Sequence, residues 1–207
     1  MSKQCRFLLA VLLTGLLAHY GAFAKNNISG PLSGTLGPGV YTVIGNCEVQ
    51  AGQTLTIVPG TRFEHTGAYY WMIYGRLNAE GTEAQPIEFV RQQPILSHRW
   101  RGIRFMAGAS NLSSVDWCKF DYVYTYYAGG ALYLDGVNIT ISNCTITNCQ
   151  ADEGAGVYAI NCSTGLIIEG CTINNNTAGI GTGMSLEASS GAVVRNNVIH
   201  HNSSTNT

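Results

Sequence analysis

Five basic residues, Arg91, His98, Arg99, Arg101 and Arg104, crowd around Trp100 in a chain of which only 11% of residues are charged. Guanidinium groups pair with carboxylates through a planar fork of donors, and an indole ring stacks on a sugar face, so this combination suits an acidic polysaccharide. A second set, Tyr122, Tyr124, Tyr126 and Tyr127, alternates along the chain and would present amphipathic rings from a bend. The ligand-binding candidates are therefore Arg99, Trp100, Arg101, Arg104, Tyr124 and Tyr126. The competing reading puts Trp100 and Phe105 in a core, with the arginines alternating outward.

Catalysis on such a ligand has stricter demands. Elimination from a uronic-acid polymer needs an acidic cluster for calcium together with a basic group, and glycoside hydrolysis needs two carboxylates facing one groove. Asp116, Asp121 and Glu169 are scattered, and Asp152-Glu153 is the one adjacent acidic pair in this region, in a turn. No catalytic residue is assigned, and neither a metal nor a cofactor is implied. Six cysteines follow the first 24 residues: Cys47, Cys118, Cys144, Cys149, Cys162 and Cys171. They show no zinc-ligand spacing. An even number invites a disulfide reading, for which Cys149 and Cys162 are the better pair. The favoured reading is a reduced, inward column of Cys118, Cys144 and Cys171, because cysteine is among the most buried residue types.

That column comes from a repeat. Val115–Phe120, Ile141–Ile146, Ile168–Ile173 and Val194–Ile199 superpose without gaps at steps of 26, 27 and 26 residues. A period of this length that preserves side-chain type marks a solenoid. Short stretches such as Ile139-Thr140-Ile141 alternate apolar and polar residues, the period of a half-buried strand, and glycine-rich runs such as Gly154-Ala155-Gly156 separate them. The expected fold is all-β: a right-handed parallel β-helix with coils of about 22–28 residues and an irregular N-terminal cap. In that arrangement Asp116, Ser142, Glu169 and Arg195 form one outward column, and Asp121, Thr147, Asn174 and His200 another. Asn175, Asn176 and Asn202 are expected to form a corner ladder, each amide donating to one coil and accepting from the next.

Residues 1–24 carry Lys3 and Arg6, the apolar run Phe7 to Ala18, and Ala22-Phe23-Ala24, the pattern of a signal peptide cut near Ala24. The apolar run is too short for a membrane span, and no later segment is apolar enough to cross. Cleavage leaves nine basic against twelve acidic residues, a charge of −3 that provides no footprint for nucleic acid. Residues 25–99 read as the cap and first irregular coils, and 100–207 as regular coils, incomplete at the C-terminus.

Gly129-Gly130-Ala131-Leu132-Tyr133 with Ile146-Thr147-Asn148-Cys149, and Gly154-Ala155-Gly156-Val157-Tyr158 with Ile173-Asn174-Asn175-Asn176, resemble the Gly-Gly-Ala-Ile and Phe-x-x-Asn repeats of the chlamydial polymorphic outer-membrane proteins. Val49 to Thr61, Ile73 to Thr82 and Pro86 to Phe89 are similar to the N-terminal segment of secreted bacterial β-helix proteins of the pectate-lyase-like superfamily. The resemblance covers nearly all of the chain after residue 24. It implies a secreted or cell-surface protein with a structural, adhesive or glycan-binding role. The superfamily also holds polysaccharide lyases and glycoside hydrolases, which keeps an enzyme as the alternative. The partners implied are polysaccharide or cell-surface glycan, with end-to-end self-association at an open coil edge.

Overall fold

A computed structural model describes residues 26–93 and 99–206. The signal-peptide reading and His98 lie outside the described residues. The described chain forms a right-handed parallel β-helix of about six turns with no helix. Each coil contributes three strands to three faces. The first face stacks Gly34–Leu36, Thr54–Ile57, Arg76–Glu80, Ser114–Asp116, Thr140–Ser142, Ile167–Glu169 and Val193–Arg195. The second begins with the N-terminal half of Gly39–Val49 and continues through Thr61–His65, Ile87–Arg91, Cys118–Asp121, Thr145–Thr147, Thr172–Asn174 and Val198–His200. The third runs from the other half of Gly39–Val49 through Trp71–Ile73, Ile103–Phe105, Leu132–Asp135 and Val157–Ile160 to Met184–Glu187. The irregular upstream coils therefore belong to the same sheets as the regular ones.

Register explains why the residue types recur. A strand alternates its side chains between two faces, so stacking in register puts like above like. Ile57, Ala79, Val115, Ile141 and Ile168 form one buried column. Phe63, Phe89 and Phe120 form another, with ring centroids 5.0 and 5.3 Å apart. Each such buried aromatic contributes about 2–3 kcal/mol of apolar burial. The columns emerge at the last coil, where Val194 is 40% and Ile199 49% exposed.

Tight corners join the faces. Trp117, Asn143 and Asn196 share one left-handed corner position, and Tyr122, Asn148, Asn175 and His201 another, all with φ between 47° and 56°. Asparagine accepts this conformation readily. The asparagine expectation needs one correction. Asn176 is a ladder residue: its Oδ1 accepts from the Cys149 backbone N–H at 2.9 Å, and its Nδ2 donates to Ile146 O at 3.1 Å. Asn202 repeats the arrangement one coil on. Asn175 instead turns outward and donates to Asn174 Oδ1, because its left-handed backbone points the side chain away from the stack.

All six cysteines of the described chain are free and buried. Cys118, Cys144 and Cys171 lie in one column, continued by Asn197, whose Oδ1 accepts the Cys171 N–H at 2.8 Å. Cys149 and Cys162 stand at different corners, the one under Asn176 and the other under Ser189, so they do not form the pair that their spacing suggested.

One coil departs from the rhythm. Thr56 to Asn78 is a step of 22 residues and Ser114 to Thr140 one of 26, but Asn78 to Ser114 takes 36. This enlarged coil carries Arg91, Arg99, Arg101 and Arg104.

Candidate functional site

Arg91 ends its second-face strand, and Trp100 is bridged in parallel to Val123 of the next coil. Trp100 points inward and is fully buried, stacked on His65 at 4.2 Å with an interplanar angle of 9°. Its Nε1–H donates to Asp121 O at 3.0 Å. The indole is thus a core group and not part of a sugar-stacking surface. Alternation about it turns Arg99 and Arg101 outward. Gly102 follows with φ 86°, and a Cβ there would lie 2.0 Å from Gly130 O, so only glycine permits this coil to approach the next. Ile103 and Phe105 then point inward and Arg104 outward on the third face.

The next coil supplies rings beneath these arginines. The Arg99 and Arg101 guanidinium carbons lie 5.2 and 5.7 Å from the Tyr124 ring, and Arg101 is 5.3 Å from Tyr126. Arg104 lies 4.1 Å from Tyr133 and 5.6 Å from Tyr70. Each arginine also has one hydrogen bond to a neutral acceptor: Arg99 Nη1 to Gln150 Oε1 at 3.2 Å, Arg101 Nη1 to Tyr124 O at 3.1 Å, and Arg104 Nη2 to Ala128 O at 3.2 Å. Four of the six proposed residues, Arg99, Arg101, Tyr124 and Tyr126, thus come together, while Arg104 lies against a separate pair of rings and Trp100 is withdrawn into the core. Tyr70, Tyr133 and Tyr158 were not anticipated. Tyr133 and Tyr158 stack at 5.6 Å and 13°, and their shared position after the glycine-rich runs was a readable signal.

The electrostatics separate these three arginines from the other paired cations. Among the described residues, Arg62 pairs with Glu64 and Glu88, Lys119 with Glu88, and Arg195 with Glu169, but no carboxylate pairs with Arg99, Arg101 or Arg104. Burial lowers the Arg104 pKa, and its Nη1 is closed off without a hydrogen-bond partner. A guanidinium has five N–H donors, so Arg99 and Arg101, each with one bond among the described residues and a ring contact, keep donors for an anion, while the Nη1 donors of Arg104 are enclosed.

A groove of about 230 Å³ lies on the adjoining second face, lined by Arg62, Glu88, Arg91, Lys119, Asp121 and Thr145 among others. Arg91 is buried, with its guanidinium 3.6 Å over the Tyr122 ring. Burial raises the Asp121 pKa above the ordinary aspartate value, opposed by the hydrogen bond from Asn148 Nδ2 and by the charge of Arg91. Elsewhere the outward acids have their own partners. Asp116 accepts from Ser142 Oγ and Asn143 Nδ2 at 2.7 and 2.9 Å, and Glu153 accepts from Ser185 Oγ at 2.7 Å. Among the described residues no three His, Cys, Asp or Glu side chains are gathered where a metal ion could be held, and no helix is long and apolar enough to cross a membrane.

A family model described as "Right handed beta helix region" matches residues 96–206, more than half of the chain. Comparison with curated proteins and with solved structures found no match.

Proposed function

Because the chain belongs to the right-handed β-helix family, whose fold alone does not specify an activity, we propose from its surface that it is a secreted or cell-surface β-helix that holds an acidic polysaccharide at the arginine–tyrosine corner, without turning it over. The observation that carries this reading is the set of three guanidinium groups, Arg99, Arg101 and Arg104, fixed on tyrosine rings and neutral acceptors with no carboxylate partner among the described residues. Arg195, by contrast, is neutralised by Glu169. Charge-assisted bonds to a ligand carboxylate are roughly twice as strong as neutral ones, and a bidentate fork selects their geometry. Ring stacking removes rotamer freedom from the arginines before the ligand arrives, which lowers the entropic cost of binding.

The test is retention of the purified protein on immobilised uronic-acid polymer, with a parallel assay for unsaturated or reducing-end products. Retention that is lost in the Arg99→Ala/Arg101→Ala double variant, without product, is the expected result. Product formation by the wild-type chain would replace the binding reading with an enzymatic one. The last described coil supports a second, lesser contact: Val194 and Ile199 are half-exposed beside strand edges that have no partner among the described residues, a surface suited to end-to-end association.

A further inference from the structure

The basic residues of the described chain are concentrated in one place. Of the eleven lysines and arginines, Lys3, Arg6 and Lys25 precede the described residues, which leaves eight. Six of the eight, Arg62, Arg91, Arg99, Arg101, Arg104 and Lys119, lie on three successive coils along one arc from the second face to the third. Only four of the twelve acids, Glu64, Glu88, Asp121 and Asp135, share that arc, so its formal charge is +2. Everything else in the described chain combines Arg76 and Arg195 with eight acids, a formal charge of −6. A chain with net charge −1 is therefore strongly polarised. A field of this shape attracts a polyanion to the arc and repels it from the rest of the surface.

The two parts of the arc differ in chemistry. At the corner, arginines stand alone over tyrosines. In the groove, Lys119 and Arg62 flank Glu88, with Lys119 Nζ 3.6 Å from the carboxylate, and Asp121 and the Thr145 hydroxyl line the same space. A ligand bearing anions alone would be repelled by Glu88 and Asp121. One bearing both carboxylates and hydroxyls would meet acceptors for its hydroxyls and cations for its carboxylates. Arg91, only 5% exposed, contributes charge from beneath rather than contact.

We infer that the glycan site of the preceding section, on which this inference rests, continues around the corner into the groove lined by Arg62, Glu88, Lys119 and Asp121, so that the ligand is a linear polyuronate engaging several successive sugars across the coils. The groove provides a second subsite that short oligomers do not reach.

Calorimetric titration of the full chain with uronate oligomers of two and of about eight residues tests this. The longer oligomer should bind more tightly. Lys119→Gln, at a half-exposed position that the fold does not depend on, should weaken the longer oligomer by about threefold, the size of one exposed charge contact, and leave the dimer unchanged. Arg101→Gln should weaken both. If Lys119→Gln matches wild type on the longer oligomer while Arg101→Gln remains impaired, the extension into the groove is wrong and the corner site stands. If wild type binds neither oligomer, the corner site is wrong, and the extension with it. Equal competition by a single-stranded oligonucleotide of the same charge overturns the assignment to a hydroxyl-bearing polymer.

Discussion

His65 makes the stability of this β-helix acid-sensitive. The imidazole is fully buried, its Nδ1 is 2.8 Å from Val90 O, and its Nε2 is 2.9 Å from Trp71 Nε1. An indole nitrogen only donates, so Nε2 must accept and Nδ1 must carry the proton: the site is satisfied by the neutral ring alone. Desolvation lowers the pKa from 6.5 to about 3, against the raising effect of the Val90 hydrogen bond. A base with a depressed folded pKa contributes stability that is fully present above its unfolded pKa, near 6.5, and is lost as pH falls toward the folded value. At about 1.4 kcal/mol per pH unit, the loss between neutral pH and about pH 4 is roughly 3 kcal/mol. The raised Asp121 pKa acts with opposite sign, gaining stability as pH falls, so the comparison must be made against a variant that keeps Asp121. His65→Phe keeps a flat ring against Trp100 and removes the titration. It leaves Trp71 Nε1–H and Val90 O unsatisfied, at about 1–3 kcal/mol each near neutral pH. Urea unfolding followed by tryptophan fluorescence should show wild type losing its advantage over His65→Phe as pH falls to about 4. Parallel pH dependence in the two proteins, or a His65 ring proton that titrates near pH 6.5 in the folded protein, would refute the reasoning.

Further outcomes follow from the same geometry. Asn176→Ala removes a fully buried side chain that accepts from Cys149 N–H and donates to Ile146 O, and should cost about 2–4 kcal/mol in urea unfolding. Cys171→Asn should be tolerated in the same assay, because it extends the Asn197 ladder by one coil in place of a thiol 3.8 Å from Ile141 O. Gly130→Ala puts a Cβ 1.9 Å from Ala155 O of the next coil and should destabilise by at least about 3 kcal/mol, or abolish soluble expression. Burial pushes the Cys47 and Cys149 thiols up to about 12, so the six cysteines of the described chain should resist a thiol-reactive dye near neutral pH and react in denaturant.

The sequence showed the coil repeat plainly because each column combines two constraints, burial inward and pairing to the coils above and below, and both preserve residue type. The Asn176 and Asn202 ladder was legible for this reason. Asn175 was not separated from it, because a left-handed corner and a ladder both favour asparagine. At Trp100 the composition fitted both a sugar platform and a core anchor. The decisive fact was the His65 ring 35 positions earlier, in the preceding coil. The groove was hidden by the enlarged coil, which puts Glu88 and Lys119 side by side at a spacing of 31 residues, outside the period of 26 or 27. That Arg99, Arg101 and Arg104 have no carboxylate partner among the described residues is a property of the folded surface and leaves no trace in the order of residues.

Oxidative footprinting of tyrosines with and without a uronic-acid polymer locates the ligand most directly. The account predicts protection of Tyr124, Tyr126 and Tyr133, beside Arg99, Arg101 and Arg104, with Tyr74, 38% exposed and away from them, unchanged. Protection of Tyr74 with the corner tyrosines still open, or no protection at a polymer concentration that retains the protein, would contradict it.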